Sequence, residues 1–205
     1  MAKKLVADLM VDYLERRDVK YVFGLCGHTV IGMLDALSRS KKVKYISNRH
    51  ESVASTAADG YARLTHKASV VMCHLGPGIT NVITGVANAS LDSIPMVAIT
   101  GQVPSHLLGR DIFQEVDITG ITTPVTKHGF IVKDVNNLAD TIRKAFVIAK
   151  SGRPGPVLID IPKDVTANIC EYEKAEIGEA NRVSKEIDET EVDNVVSMLS
   201  NAKKP

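Results

Sequence analysis

Three short runs fix the architecture more firmly than any other feature of the chain. Ser69-Val70-Val71-Met72-Cys73, Met96–Thr100 and Val157–Ile161 are dominated by apolar residues, so strands built from them must be covered on both faces. The segments between them change period. Thr80–Ala89 is rich in small residues and reads as a helix, and Leu138–Lys150 sets Ile142, Ala145, Phe146 and Ala149 on one helical face. The same alternation runs upstream. Leu5, Val6, Leu9, Met10, Tyr13 and Leu14 form an apolar stripe of helical period. Tyr21–Leu25 is a short apolar strand, Val30–Leu37 a helix, Lys44–Ser47 a strand and Ser52–Leu64 a helix. Strands spaced by helices in this rhythm imply the α/β class: a doubly wound, mainly parallel sheet with helices on both faces. In such a sheet the functional edge lies at the strand C-termini.

Residues 103–135 break the rhythm. Pro104, Gly109, Gly120, Pro124 and Gly129 punctuate them, and helical signals are weak. A long irregular stretch in a compact domain is more often functional than idle.

Length sets a limit, since a domain typically runs to about 100–150 residues and 205 residues give one domain and a remainder. We expect a domain over 1–168, a linker over 169–187, polar and mixed in charge from 171 onward, and the start of a further domain over 188–205. In that last stretch Val192, Val195, Val196, Met198 and Leu199 give a short amphipathic helix. A domain that begins with one helix and ends has no core for it, so a longer polypeptide is expected. With 44% hydrophobic residues the chain can bury a core. A net charge of +1 and an aromatic content of 4% argue against nucleic-acid or membrane-surface partners. No apolar stretch approaches the ~20 residues of a membrane helix. Cys26, Cys73 and Cys170 lie far apart without metal-ligand spacing, and are expected to be buried free thiols in a reducing cytoplasm.

One carboxylate stands out. Glu51, in Asn48-Arg49-His50-Glu51-Ser52-Val53-Ala54-Ser55, lies where a strand gives way to a helix of small residues, at the edge where open sheets place ligand chemistry. The alternative is a helix-capping glutamate whose charge suits the helix dipole.

The run His50–Arg63 resembles the pyrimidine-binding domain of thiamine diphosphate-dependent enzymes, in the branch of acetolactate synthase, pyruvate oxidase and 2-keto-acid decarboxylases. Those proteins carry an "HE…AADGYAR" run. Four further segments match in order: Tyr21–Gly27, the family's first strand and glycine turn; Gly76-Pro77-Gly78-Ile79-Thr80-Asn81, its "GPGxTN" turn; Ile99–Pro104 with Phe113-Gln114-Glu115, most like acetolactate synthase; and Gly155–Val165, the closing strand.

The resemblance implies a carboligase that decarboxylates pyruvate and passes the two-carbon unit to a second 2-keto acid. A decarboxylase, an oxidase, a split pyrimidine-domain subunit and a non-catalytic binding module are the alternatives. In the family mechanism a glutamate hydrogen-bonds or protonates the pyrimidine N1′, so that the 4′ imine removes the C2 proton. That role falls to Glu51 and needs a protonatable carboxyl in an apolar cleft. Gly27, Gly76, Pro77, Gly78 and Asn81 are the implied cofactor-side residues. Mg²⁺ and the diphosphate would bind a separate domain through a "GDG…N" motif, since no GDG triplet occurs here, and FAD is possible in the full-length protein. The family's active sites form between chains, so a homodimer or homotetramer is implied and these residues alone are not expected to turn over substrate. Gln114 matches a glutamine that faces the 2-keto acid. Acetolactate synthases usually show "PGG" where this chain has Cys26-Gly27-His28. The difference leaves the acceptor or donor open and makes His28 a candidate substrate residue, because imidazole titrates near neutrality. His50 reads as positional and Lys127 as solvated, while His74, at a strand end beside the GPG turn, stays undecided between function and structure.

Overall fold

The computed structural model describes residues 2–172 and 187–204. Its centre is a six-stranded parallel sheet of β2 (Tyr21–Gly24), β3 (Lys44–Ser47), β4 (Ser69–Cys73), β5 (Met96–Gln102), β6 (His128–Ile131) and β7 (Pro156–Pro162), in the order β3-β2-β4-β5-β7-β6. A strand β1 (Ala2–Leu5) pairs antiparallel with β8 (Ile169–Tyr172), in register from Ala2 opposite Tyr172 to Leu5 opposite Ile169.

Alternation along the central strands divides the core. Val70 and Met72 of β4, Val97 and Ile99 of β5, and Val157 and Ile159 of β7 face one side. There they meet α1 (Val6–Arg16), α2 (Ile31–Arg39) and α6 (Leu138–Lys150) through residues such as Leu9, Met33 and Ile142. Val71 and Cys73, Met96 and Ala98, and Leu158 face the other, against Ala54, Ala58, Ile79, Val82 and Ile118. Those belong to α3 (Glu51–Thr65), α4 (Pro77–Leu91) and the short α5 (Ile118–Thr122). Neighbouring side chains on a strand point to opposite faces, so both faces are covered and the runs are apolar throughout.

The doubly wound sheet is the one expected, with four differences. The irregular stretch contains β6, an edge strand. The residues after 168 continue as β8 before the remaining linker residues, 173–186, which lie outside the described ones. Leu5 ends β1, 43% exposed, instead of opening the helical stripe, because its backbone pairs with Ile169. Cys26 is exposed where a buried thiol was expected, since it follows β2 in the turn at the sheet edge, while Cys73 and Cys170 are buried and all three are free. A short α7 (Lys163–Thr166) follows β7, and α8 (Glu189–Asn201), capped by Asp188 on the backbone N–H groups of Thr190 and Glu191, forms where the amphipathic pattern predicts. Its apolar residues are exposed.

From β2 the chain runs outward to β3, then returns past β2 to β4. That reversal opens a crevice between the C-terminal ends of β2 and β4, the place where open α/β sheets bind ligands.

Candidate active site

Every sequence-predicted site residue follows the C-terminal end of a central strand or lies in the loop packed above those ends. Glu51 is the first residue of α3, directly after the β3 turn. Capping is done by its neighbour: His50 Nδ1 accepts from the Ser52 N–H at 3.2 Å and lies 2.7 Å from Ser52 Oγ. Relieved of that task, the Glu51 side chain turns inward and is only 8% exposed. Its Oε2 accepts a hydrogen bond from Asn81 Nδ2 of α4 at 3.0 Å. Two turns further along α4, Asn88 Nδ2 donates to Asp59 Oδ2 at 3.0 Å, so two asparagine–carboxylate bonds fasten α3 to α4. A hydrogen bond to a charged group contributes about 1.5–3 kcal/mol, enough to fix the relative slide of the helices.

Three glycine positions allow close backbone approaches on this edge. A Cβ at Gly27 would lie 2.4 Å from the Cβ of His74, a contact no packing tolerates. Gly76 has φ +57°, the left-handed region, and a Cβ there would meet the Gln114 carbonyl oxygen at 2.2 Å. A Cβ at Gly78 would stand 3.2 Å from the His74 Cβ and 3.7 Å from Glu51 Oε1. Pro77 takes the first position of α4, where its missing N–H costs nothing.

His74 joins these parts. Its Nδ1 lies 2.7 Å from Thr29 Oγ1, and its Nε2 lies 3.0 Å from Gln114 Oε1. The His28 ring packs edge-on against it with centroids 4.8 Å apart. Desolvation, then His74 and Lys163, hold the His28 imidazole below its ordinary pKa, which favours the neutral ring. Gln114 has φ +61°, a left-handed conformation rare outside glycine and asparagine. Sequence reasoning left His74 open and did not single out Thr29; their partners are 45 and 40 residues away from His74, beyond any local pattern.

Other groups stand apart from this cluster. Lys127 is exposed, as expected; its Nζ donates to the carbonyls of Ile148 and Ser151 at the end of α6, away from the crevice. His128 packs edge-on to Phe130. Asp160 of β7 is fully buried and accepts from Thr100 Oγ1 at 2.7 Å and Gln102 Nε2 at 3.1 Å. Gln102 Oε1 in turn accepts from the Val103 N–H, fixing where the chain leaves β5. The Tyr45 hydroxyl is enclosed beside Gly24 with no hydrogen-bond partner among the described residues, and burial, then Cys26, Cys73 and Glu51, push its pKa up.

Residues 4–121 match the family model described as "Thiamine pyrophosphate enzyme, N-terminal TPP binding domain". The chain belongs to this family. It is also 42% identical over 199 residues to the acetolactate synthase isozyme 1 large subunit of Escherichia coli K12, covering 97% of this chain and 35% of that protein. The chloroplastic acetolactate synthase of Arabidopsis thaliana is 41% identical over 203 residues, covering 97% of this chain and 30% of that one. The acetolactate synthase large subunit of Corynebacterium glutamicum is 52% identical over 159 residues, covering 78% and 25%. This domain of the thiamine pyrophosphate enzymes therefore spans about a third or less of the length of these curated relatives.

The crevice fits the pyrimidine end of such a cofactor. Glu51 offers one enclosed carboxylate with a single oxygen tied to Asn81, and the other lies on the bare backbone of Gly78. At that oxygen the neighbouring Gly78 carries no side chain, which leaves room for a flat heteroaromatic ring to meet one polar group.

Proposed function

We propose that this chain supplies the pyrimidine-side half of the active site of a thiamine diphosphate-dependent 2-keto-acid carboligase of the acetolactate synthase type. The observation that carries the reading is the inward-turned Glu51 carboxylate, enclosed by Asn81 and Gly78 at the β2/β4 reversal. Bound thiamine diphosphate would supply the electron sink for breaking the bond beside a 2-keto acid's carbonyl. Glu51 would hold a proton at the pyrimidine N1′. Asn81 keeps that carboxylate from rotating, and Gly27, Gly76, Pro77 and Gly78 shape the approach with backbone alone. His28 and Gln114 stand on the same edge and would meet the 2-keto acid.

Family membership supports thiamine diphosphate itself. Mg²⁺ and the diphosphate would be held by residues outside these 205, in keeping with the absence of a GDG triplet here, and FAD, where the protein carries it, would also bind mainly elsewhere. The reading includes a homodimer or homotetramer with the active site between subunits, and residues 188–205 as the entry to a following domain. A cytoplasmic location is in keeping with three free thiols. Among the described residues no helix is long and apolar enough to cross a membrane. A decarboxylase or oxidase is the second reading, favoured by one feature: an imidazole, His28, stands on the crevice edge.

Pyruvate consumption by the protein at its natural length, with thiamine diphosphate and Mg²⁺, decides between these. Acetolactate as the main product is expected. Acetaldehyde or acetate in its place would make the second reading correct, and consumption independent of the cofactor would overturn both.

A further inference from the structure

Thr29, His74 and Gln114 come from three separate segments and form one hydrogen-bonded line across the crevice. The direction of that line follows from what each group can give and take. Thr29 is 1% exposed, and among the described residues its hydroxyl has His74 Nδ1 as its hydrogen-bond partner. A hydroxyl carries one hydrogen, and leaving a buried donor unmade costs about 1–3 kcal/mol. The Thr29 O–H therefore points at Nδ1, which must be an unprotonated acceptor. A neutral imidazole then carries its hydrogen on Nε2, and that N–H donates to Gln114 Oε1 at 3.0 Å. With Oε1 engaged, the amide end of Gln114 that remains for a ligand is its NH₂, which only donates.

We propose that His74 is a positioning residue that, oriented by Thr29, fixes Gln114 as a hydrogen-bond donor toward the carboxylate or carbonyl oxygen of a 2-keto-acid substrate. The substrate class rests on the thiamine-enzyme reading above; the direction of the hydrogen-bond line does not. Both oxygen groups are pure acceptors when ionised or carbonyl, so they match an NH₂ and would be repelled by a carbonyl oxygen at the same place.

The backbone around Gln114 supports this role. Its left-handed φ of +61° costs on the order of 1 kcal/mol or more in a residue other than glycine. Two further contacts hold it there. The bare Gly76 backbone lies against the Gln114 carbonyl, and Glu115 accepts the N–H groups of Gly109 at 2.6 Å and Ile112 at 3.1 Å, clasping the loop. Those bonds, Gly109 first, keep the Glu115 carboxyl below the usual range despite an opposing desolvation. A strained residue held by its side chain, its backbone packing and its loop is the pattern of a placed functional group. The His28 ring, edge-on with centroids 4.8 Å apart, packs against the His74 imidazole and limits its rotation.

The test combines a spectroscopic and a kinetic measurement on the natural-length protein. In ¹⁵N-histidine-labelled protein, with His74 assigned by loss of its signals in His74→Gln, we expect the Nε2–H tautomer with an unprotonated Nδ1 between pH 6.5 and 8. Thr29→Val keeps the shape and removes the hydroxyl. It should mix the tautomers and raise the KM for the 2-keto acid about tenfold, with kcat within about twofold and thiamine diphosphate affinity unchanged, and Thr29→Ser should restore both. An Nδ1–H tautomer in the unaltered protein would overturn the proposal, because Gln114 would then face the ligand with its carbonyl. So would a folded Thr29→Val protein with unchanged KM. If the tautomer is as expected but turnover proves independent of thiamine diphosphate, the substrate assignment fails with the function reading while the hydrogen-bond line stands.

Discussion

Glu51 and Asp160 are both buried carboxylates at the C-terminal side of the sheet, and their surroundings set them to different tasks. Glu51 keeps one oxygen unclaimed by side-chain donors, toward a bare glycine, whereas both oxygens of Asp160 are taken by Thr100 and Gln102. Burial pushes the Asp160 carboxyl up to about 6 from an ordinary 3.8, against the two hydrogen bonds, which pull it down. The sign of the consequence follows. Between these values the folded chain binds a proton that the unfolded chain has released, so the contribution of Asp160 to stability is greatest below pH 4 and falls as pH rises to about 6. The loss is on the order of 3 kcal/mol. Denaturant unfolding of wild type and Asp160→Asn at several pH values isolates it: the stability of wild type relative to the variant should fall from pH 4 to pH 7. A difference that does not change with pH would contradict this. Glu51 could be singled out in the sequence because it follows a strand at the edge where open sheets place ligand chemistry and stands within the His50–Arg63 run; position alone did not separate it from a capping glutamate. The Thr29–His74–Gln114 line was not, because each member is ordinary alone and only the fold brings them within 3.0 Å.

At the scale of elements, the site depends on how closely α3 and α4 approach, since Asn81 must reach Glu51. Gly85 sets that distance. A Cβ there would lie 2.3 Å from Ser55 Oγ and 2.8 Å from the Ser55 carbonyl carbon, so Gly85→Ala must push the helices apart. Overpacking of this kind costs about 1–3 kcal/mol, and the Asn81–Glu51 bond should weaken with it. A Cβ at Gly60, also within α3, would meet nothing within 4 Å, and Gly60→Ala should stabilise the chain by roughly 0.5–1 kcal/mol through helix propensity. Chemical denaturation of the two variants checks both signs; a neutral Gly85→Ala would mean that the helix contact is looser than described. The long apolar strands were readable because burial on both faces leaves an unmistakable run. The edge strand β6 was not, since His128-Gly129-Phe130-Ile131 is half covered and sits among turn residues. The β1–β8 pair escaped for another reason: its partners are separated by nearly the whole described domain, and no local periodicity reports such a pairing.

For the whole molecule, the β1–β8 ribbon ties the first residues to those following β7, while the β2/β4 reversal brings Glu51, Asn81, His74 and Gln114 to one edge of the sheet. The order of strands explains why residues from separate segments, Gly27, Glu51, His74 and Gln114 among them, meet on one edge: the chain returns to the same edge after each helix. Its relatives are about three times longer or more, so the proposed reaction belongs to the protein at its natural length and to its assembly. The most direct test of the central claim is the rate at which the C2 proton of bound thiamine diphosphate exchanges with deuterated water, compared between wild type and Glu51→Gln. A general acid–base group of this kind contributes about 10²–10⁴-fold, so the variant should still bind the cofactor but exchange at least about a hundredfold more slowly. Exchange at the wild-type rate in folded, cofactor-loaded Glu51→Gln protein would contradict the role of Glu51 and with it the account of the site.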